Sequence, residues 1–369
     1  MLYNQTYDNE GFVTETSEEQ EKTEKKIRLV TRSKNMCKKD SFLSYIKRKL
    51  NRVSFPKDDE FFAVWDPFYM LYPMFMMDYS NNEEVENYKK LTCEFLRNHK
   101  NKYCGWSGLR YDHPSLIPLY GTIILIGIIG TEEAYGLIDK SEFYQYLLKC
   151  KNEDGSFSAS PGCEFDLRST FSAIFIAWIL DILTPEITEN VIEYTLQCMN
   201  YDGGFGPFPN CESHGGYTYS GVSILHILGK LDLINTDLLV RWLADRQCPY
   251  GGGFNGRTNK LVDTCYCWWV GSPCRTMSDY LKTGEFWDPN GITSYLFDVA
   301  QSENGGFCDR PNNPSDSFHT NWGSAGFCVC GNTNNPDTGL TNVPEVNSVA
   351  AMSKERFDRI RQYFANKKY

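Results

Sequence analysis

A glycine followed closely by an aromatic residue recurs five times at near-equal intervals: Gly105-Trp106, Gly155-Ser156-Phe157, Gly203-Gly204-Phe205, Gly252-Gly253-Phe254 and Gly305-Gly306-Phe307. The steps from aromatic to aromatic are 51, 48, 49 and 53 residues. A period of this length means supersecondary units stacked on one another, none of which buries its apolar face alone. Two architectures have that period, a propeller of four-stranded blades and a ring of paired helices. The segments between the glycines decide between them. Ser169 to Leu183 contains no turn signal, and Thr188 to Met199 and Thr236 to Gln247 place apolar residues three to four apart. Blade strands would be interrupted about every 8–12 residues. The expectation is therefore an all-α chain, an α/α toroid (a barrel of paired helical repeats), with the glycines at reversals that need positive φ. Such a ring encloses a cavity and gathers loops at its ends, where function collects. An aromatic content of 15% suits an apolar lumen, although most of these rings pack the core.

Composition sets the remaining bounds. With 369 residues and 41% hydrophobic content, the chain can bury a substantial core. Residues 1–40 carry an acidic run, Glu15 to Glu24, and then a basic one, Lys25 to Lys39. They read as a flexible charged extension ahead of one barrel domain over 41–369. The first helix is expected across Ser41 to Leu50. A net charge of -10 opposes the phosphate-tracking surface of a nucleic-acid binder. The first residues lack a secretory pattern, so the fourteen cysteines read as free thiols of a cytoplasmic protein. The longest apolar run, Leu116 to Ile129, contains Pro118 and falls short of the roughly 20 residues of a membrane span.

Chemistry concentrates between Gly256 and Trp269, where Arg257, Lys260, Asp263, Cys265 and Tyr266 lie within a few residues of one another. Carboxylate and thiolate donors two apart suit zinc, and His319 in Ser317-Phe318-His319-Thr320 supplies a third donor type. Three protein ligands leave zinc a position open for chemistry. The plainer reading of the first stretch is a capped helix start with a solvated basic pair. His226, within Ile224-Leu225-His226-Ile227-Leu228, is expected to be a core histidine.

Four features in register resemble the β subunit of a protein prenyltransferase across residues 41 to 360. They are the helical repeats, Glu212-Ser213-His214-Gly215-Gly216-Tyr217-Thr218, Gly256-Arg257 through Lys260 to Asp263-Thr264-Cys265-Tyr266, and Phe318-His319-Thr320. The resemblance implies transfer of an isoprenoid from its diphosphate to a cysteine near the C-terminus (a CaaX box) of protein substrates such as small GTPases, alongside an obligate α subunit. It implies Asp263, Cys265 and His319 as zinc ligands, with Tyr266 beside them in the catalytic set. His214, Arg257, Lys260 and Tyr266 are implied as diphosphate contacts. Arg168, Tyr217, Phe68, Trp269 and Trp322 are implied as further substrate contacts, with Phe68 and Trp322 at the closed end of a lipid tunnel. Asp309 stands where magnesium is held against the diphosphate, and it equally suits a turn in Cys308-Asp309-Arg310-Pro311. Asp166-Leu167-Arg168-Ser169 and Asn259-Lys260-Leu261-Val262-Asp263 resemble farnesyltransferases. Thr264 and Ser213 resemble the type I geranylgeranyl enzyme, and Cys267-Trp268-Trp269-Val270 the Rab-specific one. The farnesyl enzyme is the main expectation and the geranylgeranyl enzymes the alternative.

Overall fold

The computed structural model describes residues 13–30, 36–52, 64–77, 83–107, 113–249 and 251–367. Among them the expected toroid is present. The inner staves are Trp65–Met76, Leu116–Ile129, Leu167–Ile179, Gly215–Ile227, the broken pair Tyr266–Trp269 and Gly271–Leu281, and Ser317–Cys330. Each packs on the next, and Ser317–Cys330 packs back on Trp65–Met76, closing the ring. Lys39–Arg52, Glu83–Asn98, Lys140–Cys150, Val191–Gln197, Thr236–Ala244 and Pro289–Ser294 form the outer layer. Inner staves are apolar around most of their circumference, as burial on two sides demands; Leu116–Ile129, the longest apolar run, is one of them and is almost wholly buried. No helix among the described residues is long and apolar enough to cross a membrane.

The repeat glycines do the expected work. Gly155, Gly203, Gly252 and Gly305 have φ of 94°, 96°, 77° and 88°. Each also presses on the start of the next outer helix. A Cβ would lie 2.1 Å from Asn190 O, 2.4 Å from Leu238 C, 2.4 Å from Gly291 O and 2.0 Å from Ser41 O respectively. The last contact joins the final repeat to the first outer helix, Lys39–Arg52. The repeat aromatics pin the inner layer, because the Phe157, Phe205 and Phe307 amides donate to Thr170, Thr218 and Thr320 Oγ1 at 3.1, 3.0 and 3.0 Å.

The two ends of the barrel differ. At the C-terminal ends of the staves, side chains satisfy the last carbonyls: Arg356 donates to Ile128 O, Arg361 to Trp178 O, and Arg275 to Val329 O. These cations also complement the negative ends of the helix dipoles. The segment around the strand pair Val346–Asn347 and Met352–Ser353 closes this side, with Tyr219 Oη donating to Val349 O at 2.8 Å. The N-terminal ends carry the positive dipole ends and face the site described below.

Three expectations need correction. The described portion of the expected flexible extension forms a helix, Glu15–Leu29. A reciprocal cap between Thr14 and Ser17 starts it, Glu18–Lys22 and Glu21–Lys25 pairs support its exposed face, and Ile27 is fully buried. Residues 1–12 and 31–35 lie outside the described residues. The helix expected from Thr188 is shorter, Val191–Gln197, because Asn190 turns to the left-handed region at φ 57°. His226 is exposed near the C-terminal end of Gly215–Ile227 and is not a core histidine.

Candidate functional site

Three stave N-termini converge on one end of the lumen, and each begins with a side chain that caps it. Asp166 accepts from the Arg168 and Ser169 amides, His214 Nδ1 from the Gly216 amide, and Asp316 Oδ1 from the His319 amide. Between them the Asp263 amide donates to Phe254 O, and the Asp263 carboxylate accepts from the Cys265 amide at 2.9 Å. This brings one ligand atom each of Asp263, Cys265 and His319 to within 4.8 Å of one another. Among the described residues it is the one such cluster.

The donor chemistry fits zinc. His319 Nδ1 lies 2.6 Å from Asp316 Oδ2, which fixes the tautomer and turns Nε2 towards Asp263 Oδ1 at 3.2 Å. A carboxylate behind a ligating histidine is the usual outer partner of a metal site. Without a cation between them the histidine and the thiol hold protons, while Asp263 is ionised. Burial lowers the His319 pKa, but the Asp263 and Asp316 carboxylates outweigh it and raise it to about 10. Burial, followed by the Asp263 carboxylate, pushes the Cys265 thiol well up. Burial acts to raise the Asp263 carboxyl, yet its hydrogen bond to His319 holds it below the usual range. A metal taken up here would displace protons from histidine and thiol together.

Two pockets meet at this point. A polar one of ≈ 430 Å³ is lined by His214, Arg257, Lys260, Asp263, Tyr266 and Arg310, with Glu15, Thr16 and Glu19 from the N-terminal helix. An apolar one of ≈ 450 Å³ runs into the lumen past Arg168, Tyr217, Tyr219, Cys265, Trp269, Phe318 and Trp322. His214 and Tyr266 belong to both walls. Their hydrogen bond assigns the protons. His214 Nδ1 accepts from Gly216, so Nε2 carries hydrogen and donates to Tyr266 Oη at 3.0 Å, leaving the phenol proton for a ligand. Burial, then the Arg257 charge, lowers the His214 pKa to about 4, so the ring is neutral at physiological pH. Burial, then Cys265 and Asp263, raises that of Tyr266, which stays a donor.

The structure gathers Asp263, Cys265, His319, Tyr266, His214, Arg257, Lys260, Arg168, Tyr217, Trp269 and Trp322 at this junction. Arg257 is held by Glu212 at 2.7 Å, and Arg168 by Asp166 over the Tyr217 ring. Two expected residues stand elsewhere. Phe68 is fully buried behind the cavity wall, its ring 5.8 Å from that of Trp322, with Trp65 and Tyr69 of that wall packed against it and Tyr72 beside it. Asp309 does not line the polar pocket. Its carboxylate accepts from Asn313 Nδ2 at 2.8 and 3.0 Å and from the Arg310 amide, so it serves its turn. The neighbouring Arg310 faces the pocket instead, and sequence reasoning missed it. Asp316 was missed as well, although an acidic residue three before a histidine at a helix start is a readable signal.

A family model described as the prenyltransferase alpha-alpha toroid domain matches residues 37–353. The chain is 34% identical over 233 residues to protein farnesyltransferase subunit beta of Schizosaccharomyces pombe, covering 61% of this chain and 60% of that one. It is 41% identical over 236 residues to the same-named subunit of Dictyostelium discoideum, covering 58% and 47%. With geranylgeranyl transferase type-2 subunit beta of Saccharomyces cerevisiae it shares 34% over 253 residues, covering 66% and 73%. The alignments thus span about half to three fifths of the farnesyltransferase relatives. In structure, Candida albicans protein geranylgeranyltransferase-I complexed with GGPP matches with a TM-score of 0.74 at 20% identity, covering 90% of this chain and 100% of that one. At that identity the likeness speaks for the fold.

Proposed function

Because the chain belongs to the prenyltransferase alpha-alpha toroid family, we propose that it is the β subunit of a zinc-dependent protein farnesyltransferase. It would act with an α subunit, in the cytoplasm, on proteins ending in a CaaX-type cysteine motif. One observation carries the reading: a polar pocket bearing Arg257, Lys260 and Arg310 and an apolar cavity share the His214–Tyr266 wall, with the metal-ligand set at the same junction. A molecule with an anionic head and a long apolar tail fills both pockets at once, and its head-to-tail bond then lies beside Cys265 and Tyr266.

Asp263, Cys265 and His319 would hold zinc, which keeps a bound substrate thiol deprotonated at neutral pH and therefore nucleophilic. In the reaction a sulfur–carbon bond forms at carbon 1 of the lipid, the carbon–oxygen bond breaks, and its electron pair leaves on the diphosphate. Charge therefore grows on the leaving oxygen. Tyr266 Oη, with His214 behind it, and the Arg257, Lys260 and Arg310 cations are set where that charge develops, the arrangement that lowers barriers most. The positive ends of the staves add to the same field. Magnesium, expected at Asp309, receives no support from the turn that occupies that carboxylate.

The type-2 relative favours a second reading, a geranylgeranyl enzyme. The test of the common ground is metal content and turnover in the complex with its α subunit. Cys265→Ala should lose zinc and thioether formation while the helical circular dichroism persists, because a metal held at the ends of the staves is not what packs them into a ring. Full zinc occupancy in that variant would contradict the assignment.

A further inference from the structure

The helix Glu15–Leu29 brings anions of its own to the polar pocket. Glu15 and Glu19 line it with Arg257, Lys260 and Arg310, so three cations face three carboxylates, the third being Asp263. Asp263 is fixed by His319 and the Cys265 amide. The two glutamates are carried on a separate element.

That element is held by a thin seam. Its buried residues are Gln20, Thr23, Glu24 and Ile27, of which only Ile27 is apolar. Ile27 packs against Gly251, where a Cβ would approach its side chain to 3.3 Å. Gln20 Nε2 is buried with no hydrogen-bond partner, which works against docking. One fully buried apolar side chain, Ile27, anchors the helix, with the half-buried Val30 at its C-terminal end, and the rest of its buried seam is polar. Its acidic first turn is favoured by its own dipole, so the negative charge stays at the end nearest the pocket.

We infer that Glu15–Leu29 is a displaceable acidic plug. Glu15 and Glu19 occupy the field that a diphosphate requires, compete with it, and thereby set how tightly the pocket takes its anion. The inference rests on the reading of this pocket as the diphosphate site, and the experiment separates the two. Inorganic pyrophosphate is titrated calorimetrically into the full-length chain, as its complex with the α subunit. The double variant Glu15→Gln/Glu19→Gln keeps side-chain shape and removes both charges. It should tighten pyrophosphate binding by roughly three- to tenfold at low salt, and the gain should shrink at high salt, as screening requires. Ile27→Asp, which undocks the helix without touching the pocket, should shift affinity in the same direction. Arg310→Ala should weaken binding. If Arg310→Ala leaves pyrophosphate affinity unchanged, the pocket is not the diphosphate site. If it weakens binding while both helix variants leave affinity unchanged or reduce it, the pocket stands and the plug is overturned.

Discussion

Asp316 holds His319 twice, accepting from its backbone amide and from its ring. One residue thus starts a stave and aims a metal ligand. His214 has the same double duty, capping its helix through Nδ1 and supporting Tyr266 through Nε2. Both roles depend on protonation, and for His214 the consequence is measurable. Its pKa is lowered from 6.5 to about 4 by burial and the nearby Arg257 charge. Between about 4 and 6.5 the unfolded chain therefore binds a proton that the fold refuses. His214 contributes stability that is present above 6.5 and lost as pH falls towards 4. In an NMR titration the His214 ring should keep its neutral shift until about pH 4. A midpoint near 6.5 would mean that neither burial nor the Arg257 charge holds the ring neutral. The donor types Asp263, Cys265 and His319 were legible in the sequence, since each carries its chemistry in its identity. Arg310 was not, because the direction of a turn residue depends on Asn313 taking up its neighbour Asp309.

At the scale of elements, the glycine-aromatic spacing together with the turn-free segments between the glycines predicted paired helices and positive φ. It could not say that each glycine also presses on the next outer helix, since that contact is made across repeats. The two demands can be separated by substitution. Gly203 has φ 96°, and a Cβ there would lie 2.4 Å from Leu238 C. Gly162 has φ 76° with nothing within 4 Å. Gly162→Ala should cost only about 1 kcal/mol, the penalty for a left-handed alanine. Gly203→Ala must in addition push a turn away from the helix it rests on and should cost about 3 kcal/mol or more. Denaturant melts of the two variants check this, and equal losses would show that the inter-repeat contact contributes nothing. The helix Glu15–Leu29 was read as part of a flexible charged extension for a related reason. Its composition is that of a solvated segment, and the one anchoring residue, Ile27, gives no periodic signal.

The whole molecule is a barrel with opposite ends. Arginines and the C-terminal segment close the end where carbonyls point outward, and the open end gathers amides, cations and the metal set. On the proposed reading an amphiphile would enter head outward, and the depth of the apolar cavity would set the lipid length it accepts. Trp322 lines that cavity, with its ring 4.3 Å from Trp269 and backed by Phe68. Phe68 and Trp322 were both expected at the tunnel's closed end, but only the folded arrangement shows that Trp322 presents the surface and Phe68 the support. The extra isoprene unit of a twenty-carbon lipid would gain roughly 4 kcal/mol if buried, at about 0.8 kcal/mol per carbon. On the farnesyl reading, steric exclusion by Trp322 would have to cancel a preference of nearly a thousandfold. Trp322→Phe should therefore shift the kcat/KM ratio towards geranylgeranyl diphosphate, and Phe68→Thr should do so less, by loosening the indole from behind. An unmoved ratio in Trp322→Phe would remove that residue from the selection.

The most direct test of the account is a competition in one vessel. The complex of this chain with its α subunit is given a peptide ending in a CaaX cysteine motif, zinc, and equal farnesyl and geranylgeranyl diphosphate, and the product is read by mass spectrometry. The account predicts a peptide heavier by one farnesyl group on its cysteine, with pyrophosphate released in equal amount. A peptide carrying the twenty-carbon group would replace the farnesyl reading with the geranylgeranyl one, and an unmodified peptide alongside intact diphosphates would contradict prenyl transfer itself.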